Sequence, residues 1–147
     1  MAKINPYLHF LGNTEDVFNF YKSIFGGEFA AVMLYGDMQG EGCEGLSDDD
    51  KSKIMHIALP LSDGHVLMGT DAVGEFANDA VFGNNISLSI STDSKEEADK
   101  VFNGLADGGA VTMPLNDTFW GAYFGMLKDK YGIQWLVNYD YPKQENQ

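Results

Sequence analysis

The chain has 147 residues, of which 44% are hydrophobic and 13% aromatic, so it can bury the core of one ordinary domain and is too apolar to stay disordered. Its net charge of −13 argues against nucleic acid or an anionic membrane as partner, because both bind clusters of Lys and Arg. The single cysteine, Cys43, excludes an intrachain disulfide and fits a reducing compartment. With no apolar run of signal-peptide or membrane-spanning length, the sequence predicts a cytoplasmic protein.

The first half of the chain predicts one strand, one helix and three further strands. The strands are residues 4–11, 29–35, 54–61 and 65–70. Asn13 or Thr14 can cap the helix, and Gly26 with Gly27 ends it. The apolar face of this helix recurs at helical spacing and consists of Val17, Phe20, Tyr21 and Ile24. Residues 36–53 are rich in Gly, Asp and Glu and predict a mobile acidic loop, in which Cys43 is a surface thiol.

The second half predicts the same order of elements. Its strands are residues 85–91, 110–115, 122–127 and 133–139. Thr92 or Ser94 can cap the helix between the first two strands, and Gly108 with Gly109 ends it. The apolar face of this helix consists of Ala98, Val101, Phe102 and Leu105.

The two halves therefore indicate a duplication. The helical faces match at a constant shift, since 101 − 20 and 105 − 24 both equal 81. We interpret the chain as a single α+β domain with a βαβββ module at residues 3–71, a linker at 72–83 and a second module at 84–141. Two such modules are expected to form a curved mixed sheet around a cleft, with the helices outside. The cleft is the natural ligand site, and the exposed sheet edges predict a homodimer.

Five short runs resemble PhnB-like proteins of the glyoxalase/bleomycin-resistance/extradiol-dioxygenase (vicinal oxygen chelate) superfamily. They are residues 5–10 (NPYLHF), 20–27 (FYKSIFGG), 68–71 (MGTD), 117–121 (DTFWG) and 132–135 (GIQW). The resemblance implies the paired βαβββ fold over nearly the whole chain. Many PhnB-like proteins are described as demethylubiquinone methyltransferases, but this sequence has no Gly-rich loop after a strand that would bind a methyl-donor nucleoside.

The resemblance also implies four positions at which relatives with known chemistry bind a divalent metal. Matched by strand and glycine landmarks, they fall on Pro6, Met68, Asn85 and Leu136. A shift of one residue in the first strand would replace Pro6 by Asn5 or Tyr7. Catalytic metals of this kind prefer His nitrogen or carboxylate oxygen, so we expect no typical metal site and no cofactor.

Several side chains remain as candidates for a ligand site. Trp120, Tyr123 and Phe124 cluster where the second module would face the cleft, and Trp120 and Tyr123 can stack on a flat ligand. His9, His56 and His65 show no compact metal-binding spacing, and His56 is the one expected to line the cleft. The predicted ligand-binding residues are Trp120, Tyr123, His56, Met68 and Asn85. Trp135 is expected in the core, and the run at residues 48–50 predicts a solvated loop or a helix start.

Two functions stay open at this point. The first is a metal-independent protein that binds a small aromatic or apolar molecule in the cleft. The second is a divalent-metal-dependent lyase, isomerase or dioxygenase with non-standard ligands such as His56 and Asp71. The residues do not decide whether the chain is an enzyme.

Overall fold

The computed structural model describes residues 2–37 and 45–143, which divide into two compact units, Met1–Val81 and Phe82–Gln147. Each unit has a four-stranded mixed sheet and one helix of 12 residues. The predicted α+β class with two βαβββ modules is confirmed. Cys43 lies outside the described residues.

Within the described residues, no helix has the length and apolarity that crossing a membrane requires.

The first unit follows the predicted element order. Its elements are β1 (Tyr7–Phe10), α1 (Thr14–Phe25), β2 (Ala31–Leu34), α2 (Asp48–Lys51), β3 (Ile54–Pro60), β4 (Val66–Asp71) and α3 (Glu75–Asn78). The sheet order is β1-β4-β3-β2, with β1 and β4 parallel and the other pairs antiparallel. Helix α2 begins where the acidic run predicts a helix start, because the Ser47 hydroxyl accepts a hydrogen bond from the Asp50 amide. The short helix α3 was not expected within the linker.

The core of the first unit lies between α1 and one face of its sheet. Val17 and Tyr21 are buried as predicted, but Phe18, which the predicted face omits, is also fully buried. Phe18 fits because β4 carries Gly69 beneath it: a Cβ at Gly69 would lie 2.6 Å from the Phe18 ring. Phe20 is only partly buried, so the face of α1 is rotated from the one expected.

A buried carboxylate fixes the start of α1. Asp71, at the end of β4, is only 2% exposed and accepts hydrogen bonds from the Gly12 amide, the Thr14 amide and the Thr14 hydroxyl at 2.6–3.0 Å. Its other oxygen accepts from the Ile54 amide at 2.9 Å. Asn13, one of the two predicted caps, makes no side-chain capping bond. The free N–H groups at the start of the helix are thus satisfied from a distant strand.

The second unit repeats the same connectivity. Its elements are β5 (Leu88–Ser91), α4 (Lys95–Ala106), β6 (Ala110–Asp117), β7 (Ala122–Lys128) and β8 (Gln134–Asp140). The sheet order is β5-β8-β7-β6, with β5 and β8 parallel. The predicted face of α4 is confirmed, because all four of its apolar residues are buried. Here the predicted cap, Ser94, accepts a hydrogen bond from the Glu97 amide at 3.0 Å.

Candidate functional site

The sheet of the first unit has one face covered by α1 and one face that α1 leaves uncovered, which we call the first open face. Ile57, Leu59 and Leu67 point towards α1 and are buried. Met68, the next residue along β4, points the other way. The parallel register pairs Tyr7 with Met68, so both lie on the first open face.

A hydrogen-bonded pair of side chains occupies the first open face. The Tyr7 hydroxyl lies 3.1 Å from His56 Nδ1, and the two ring centroids are 5.7 Å apart. His9, two residues along β1, packs against Tyr7 with ring centroids 5.5 Å apart. Burial raises the pKa of the Tyr7 hydroxyl, and the nearby Tyr35 raises it further. The structure thus brings the predicted residues His56 and Met68 together with Tyr7. The strand and glycine landmarks indicate Pro6, one residue earlier, for this position.

Two more hydroxyls border this pair and are already engaged. The Tyr35 hydroxyl donates to the Asp71 carbonyl oxygen at 2.7 Å. The Thr70 hydroxyl lies within 3.3 Å of the carbonyl oxygens of Ile54 and Asp71. Both side chains therefore hold the backbone at the end of β4 in place.

Asp71 does not share the first open face with His56. Its carboxylate points to the α1 side, where all of its described contacts are donors from the surrounding chain. His56 and Asp71, named above as possible non-standard ligands of the alternative function, therefore do not lie on one face, because the alternation of side chains along β4 directs Asp71 into the interior. His65, the third histidine, is exposed at the turn before β4.

The second unit also has a sheet face that its helix leaves uncovered, the second open face. Phe124 and Met126 lie on it beside Asn138 and Leu136, their partners on β8. The Trp120 ring packs edge-on against Phe124, with centroids 6.2 Å apart, and remains 60% exposed. This face is mainly apolar, whereas the first open face is rich in hydrogen-bonding rings.

Tyr123 lies on the opposite side of the same sheet. Its hydroxyl donates to Asp99 on α4 at 2.6 Å, and the Lys95 ammonium lies 4.7 Å from its ring centroid. The hydrogen bond to Asp99 raises the pKa of Tyr123 to about 12, with burial adding to it. The expectation that Tyr123 faces the same way as Phe124 is corrected, because adjacent strand residues point to opposite faces. The expected core position of Trp135 is confirmed by its 2% exposure.

The residues at the four implied metal positions do not fit a metal. They are Pro6, Met68, Asn85 and Leu136. The side chains of Pro6 and Leu136 have no atom that can ligate a metal, and the thioether of Met68 is a soft ligand. Asn85 is exposed and precedes β5. Across residues 2–37 and 45–143, no group of three or more His, Cys, Asp or Glu side chains is placed to hold an ion.

The fold has a counterpart among solved structures. A glyoxalase/bleomycin resistance protein/dioxygenase family enzyme from Burkholderia phytofirmans PsJN superimposes with a TM-score of 0.60, covering 92% of this chain and 97% of that one. At 15% sequence identity this likeness concerns the fold alone.

The family follows from a direct sequence match. The model of the 3-demethylubiquinone-9 3-methyltransferase family matches residues 2–138, and the chain belongs to that PhnB-like family. Protein PA1353 from Pseudomonas aeruginosa is 37% identical with a TM-score of 0.80, covering 95% of this chain and 98% of that one. The PhnB protein from Bacillus cereus is 32% identical with a TM-score of 0.72, covering 94% and 99%.

Proposed function

We propose that this chain binds a small aromatic or apolar molecule without the metal-ligand set of glyoxalase-type enzymes. The observation that carries the proposal is the Tyr7–His56 pair beside Met68, on a sheet face that α1 does not cover. Small-molecule sites combine apolar side chains with a few polar groups that fix the orientation of the ligand. The first open face has this composition.

The second open face supports the same class of ligand by different means. Trp120 offers exposed aromatic surface and packs against the half-buried Phe124, with Met126 on the same strand, β7, as Phe124. Aromatic rings pack edge-on or offset against other flat rings. We therefore propose His56, Met68 and Trp120 as ligand contacts. A role for Asn85 stays a prediction, and Tyr123 supports α4 instead.

Calorimetric titration of the metal-free chain with a library of small aromatic compounds tests the proposal. We expect saturable binding that Met68→Ala weakens, because the variant removes apolar contact area. Phe76→Ala is the matched control, since Phe76 is 80% exposed and lies on α3. No binding across the library would refute the proposal. Binding that needs a stoichiometric divalent metal, measured by elemental analysis, would favour the metal-dependent enzyme.

We also propose that the chain forms a homodimer. Strand β6 is an edge strand of eight residues, and Val111 and Met113 on it are about half exposed. An exposed apolar edge of this length invites pairing with another strand, and a second copy offers the same edge in antiparallel orientation. Sedimentation equilibrium of the wild type and of Met113→Lys tests this. A wild type that is monomeric at micromolar concentration would refute it.

We propose a cytoplasmic location on the sequence alone. A lone cysteine fits a reducing compartment. Fractionation of the native cells with an antibody to the chain tests this location, and recovery outside the cytoplasm would overturn it.

A further inference from the structure

Within the described part of the chain, the strands of the first open face direct no acidic side chain to that face, although the sequence carries 22 acidic residues. The register of the four strands defines its members. They are Tyr7, His9, Ala31, Met33, His56, Ala58, Pro60, Val66, Met68 and Thr70. An anion would meet no carboxylate among these residues.

Three ring side chains on this face carry hydrogen-bond donors: Tyr7, His56 and His9, which packs against Tyr7. The hydroxyls of Tyr35 and Thr70 are engaged with backbone carbonyls, as described above. The Tyr7 hydroxyl and His56 Nδ1 share a single hydrogen bond. Among the described residues, His56 Nε2 has no hydrogen-bond partner. The pair, with His9 beside Tyr7, is therefore able to receive a polar group of a ligand.

Each arrangement of protons in the pair leaves a donor that the Tyr7–His56 hydrogen bond does not use. If His56 is neutral and Tyr7 donates to Nδ1, then Nε2 carries a proton that can be donated. If Nδ1 is protonated and donates to the Tyr7 oxygen, the Tyr7 hydroxyl proton is free to donate. In the imidazolium form neither the Nε2 proton nor the hydroxyl proton is used by the hydrogen bond between the two side chains. The raised pKa of Tyr7 keeps this residue a phenol, which does not repel an anion.

We propose that the ligand of the first open face is a small aromatic or apolar carboxylate, whose oxygens are received by Tyr7 and His56. Its apolar part lies against Met68 and Met33, the partner of His56 on β2. The carboxylate is favoured because hydrogen bonds to an ionised acceptor are stronger than those to a neutral one. This inference rests on the proposed binding function and narrows its ligand class.

The test compares benzoate with benzamide, which has the same shape but no charge. Calorimetry at neutral pH and low ionic strength gives the affinity of the full-length chain for each. We expect benzoate to bind about tenfold more tightly, a difference of about 1.4 kcal/mol. Tyr7→Phe and His56→Gln are expected to bring the benzoate affinity close to that of benzamide. His65→Gln is the control, because His65 is exposed at the turn before β4 and is not one of the residues that form this face.

Circular dichroism of each variant establishes that the fold is retained, and the His56 ring resonances in NMR spectra report contact directly. Benzoate preference that is lost in both variants and kept in the control supports the inference. Equal binding of the two probes overturns it but leaves the binding function standing. A benzoate preference unchanged in both variants also overturns it, since the anion would then bind elsewhere. If neither probe binds, the carboxylate proposal is overturned, and the proposed binding function is then tested by the library titration alone.

Discussion

The two units share one connectivity but secure their first helix in different ways. In the first unit, the carboxylate of Asp71 at the end of β4 holds the start of α1 and of β3. In the second unit, α4 is capped locally by Ser94. The buried carboxylate of the second unit, Asp129, instead holds the turn before β8 and the Trp135 indole. Duplicated folds can thus keep their topology while the supporting polar contacts move to different places.

Asp71→Asn is expected to give the largest loss of stability, because it removes the contact that distinguishes the first unit from the second. The amide cannot accept at both oxygen positions, and the loss of buried charge-assisted bonds costs roughly 2–4 kcal/mol of unfolding free energy. Urea unfolding followed by circular dichroism, with hydrogen exchange of the α1 amides, measures the loss. Asp79→Asn makes the same charge change at an exposed position and is expected to be neutral. An unchanged α1 in Asp71→Asn would show that the carboxylate is not its anchor.

Gly69→Ala is expected to cost about 1–3 kcal/mol of unfolding free energy, because the new methyl group overlaps the Phe18 ring. Gly125→Ala is the equivalent change in the second unit, since its methyl group would lie 2.8 Å from Phe102 on α4. The two variants should lose similar stability in urea. Gly83→Ala, where the nearest atom is 3.6 Å away, is the control. A control as destabilised as Gly69→Ala would contradict the packing argument.

Removal of a helix cap is expected to cost less stability than the two changes above. Ser94→Ala is expected to destabilise α4 by about 1 kcal/mol, the usual value for a lost N-cap. Asn13→Ala is expected to change the stability by less than about 0.5 kcal/mol, since Asn13 makes no capping bond. Urea midpoints of the two variants provide the measurement. Equal losses at both positions would mean that the two helices are capped alike.

The smallest effect on stability at neutral pH concerns Tyr123. Its raised pKa means that the folded state favours the protonated phenol. The contribution of this phenol to the free energy of unfolding is therefore complete below about pH 10, the usual pKa of tyrosine. It is lost as the pH rises towards about 12. Asp99→Asn should lower the pKa of Tyr123 and reduce this alkaline loss. Tyrosinate absorbance against pH, with Tyr123→Phe to identify the signal, measures the shift. A titration curve identical to the wild type would contradict it.

The sequence predicted most of the fold because the repeating signals are local. The α4 face and the Ser94 cap follow from spacing within a few residues. The Phe18 position was missed because it depends on Gly69, which only the folded sheet brings beneath it. The anchor at Asp71 was missed for the same reason, since it lies 57 residues from Thr14.

The candidate site was less predictable than the fold. Tyr7 and His56 are 49 residues apart, and only the register of β1 against β4 places Tyr7 beside Met68. A local signal for Tyr7 did exist, because it alternates with His9 on one strand. The same alternation places Tyr123 and Phe124 on opposite faces of their sheet. Strict use of the two-residue period would therefore have assigned both Tyr7 and Tyr123 to the correct face.

The Asp71 anchor also has a consequence for the order of folding. The first turn of α1 gains its acceptor only when β4 has formed, whereas α4 has its cap within four residues. Contacts between distant residues form more slowly than local ones, because the closure of a long loop costs entropy. We therefore expect pulsed hydrogen exchange during refolding to protect the start of α4 before the start of α1. During synthesis, α1 would leave the ribosome well before the residue that completes it.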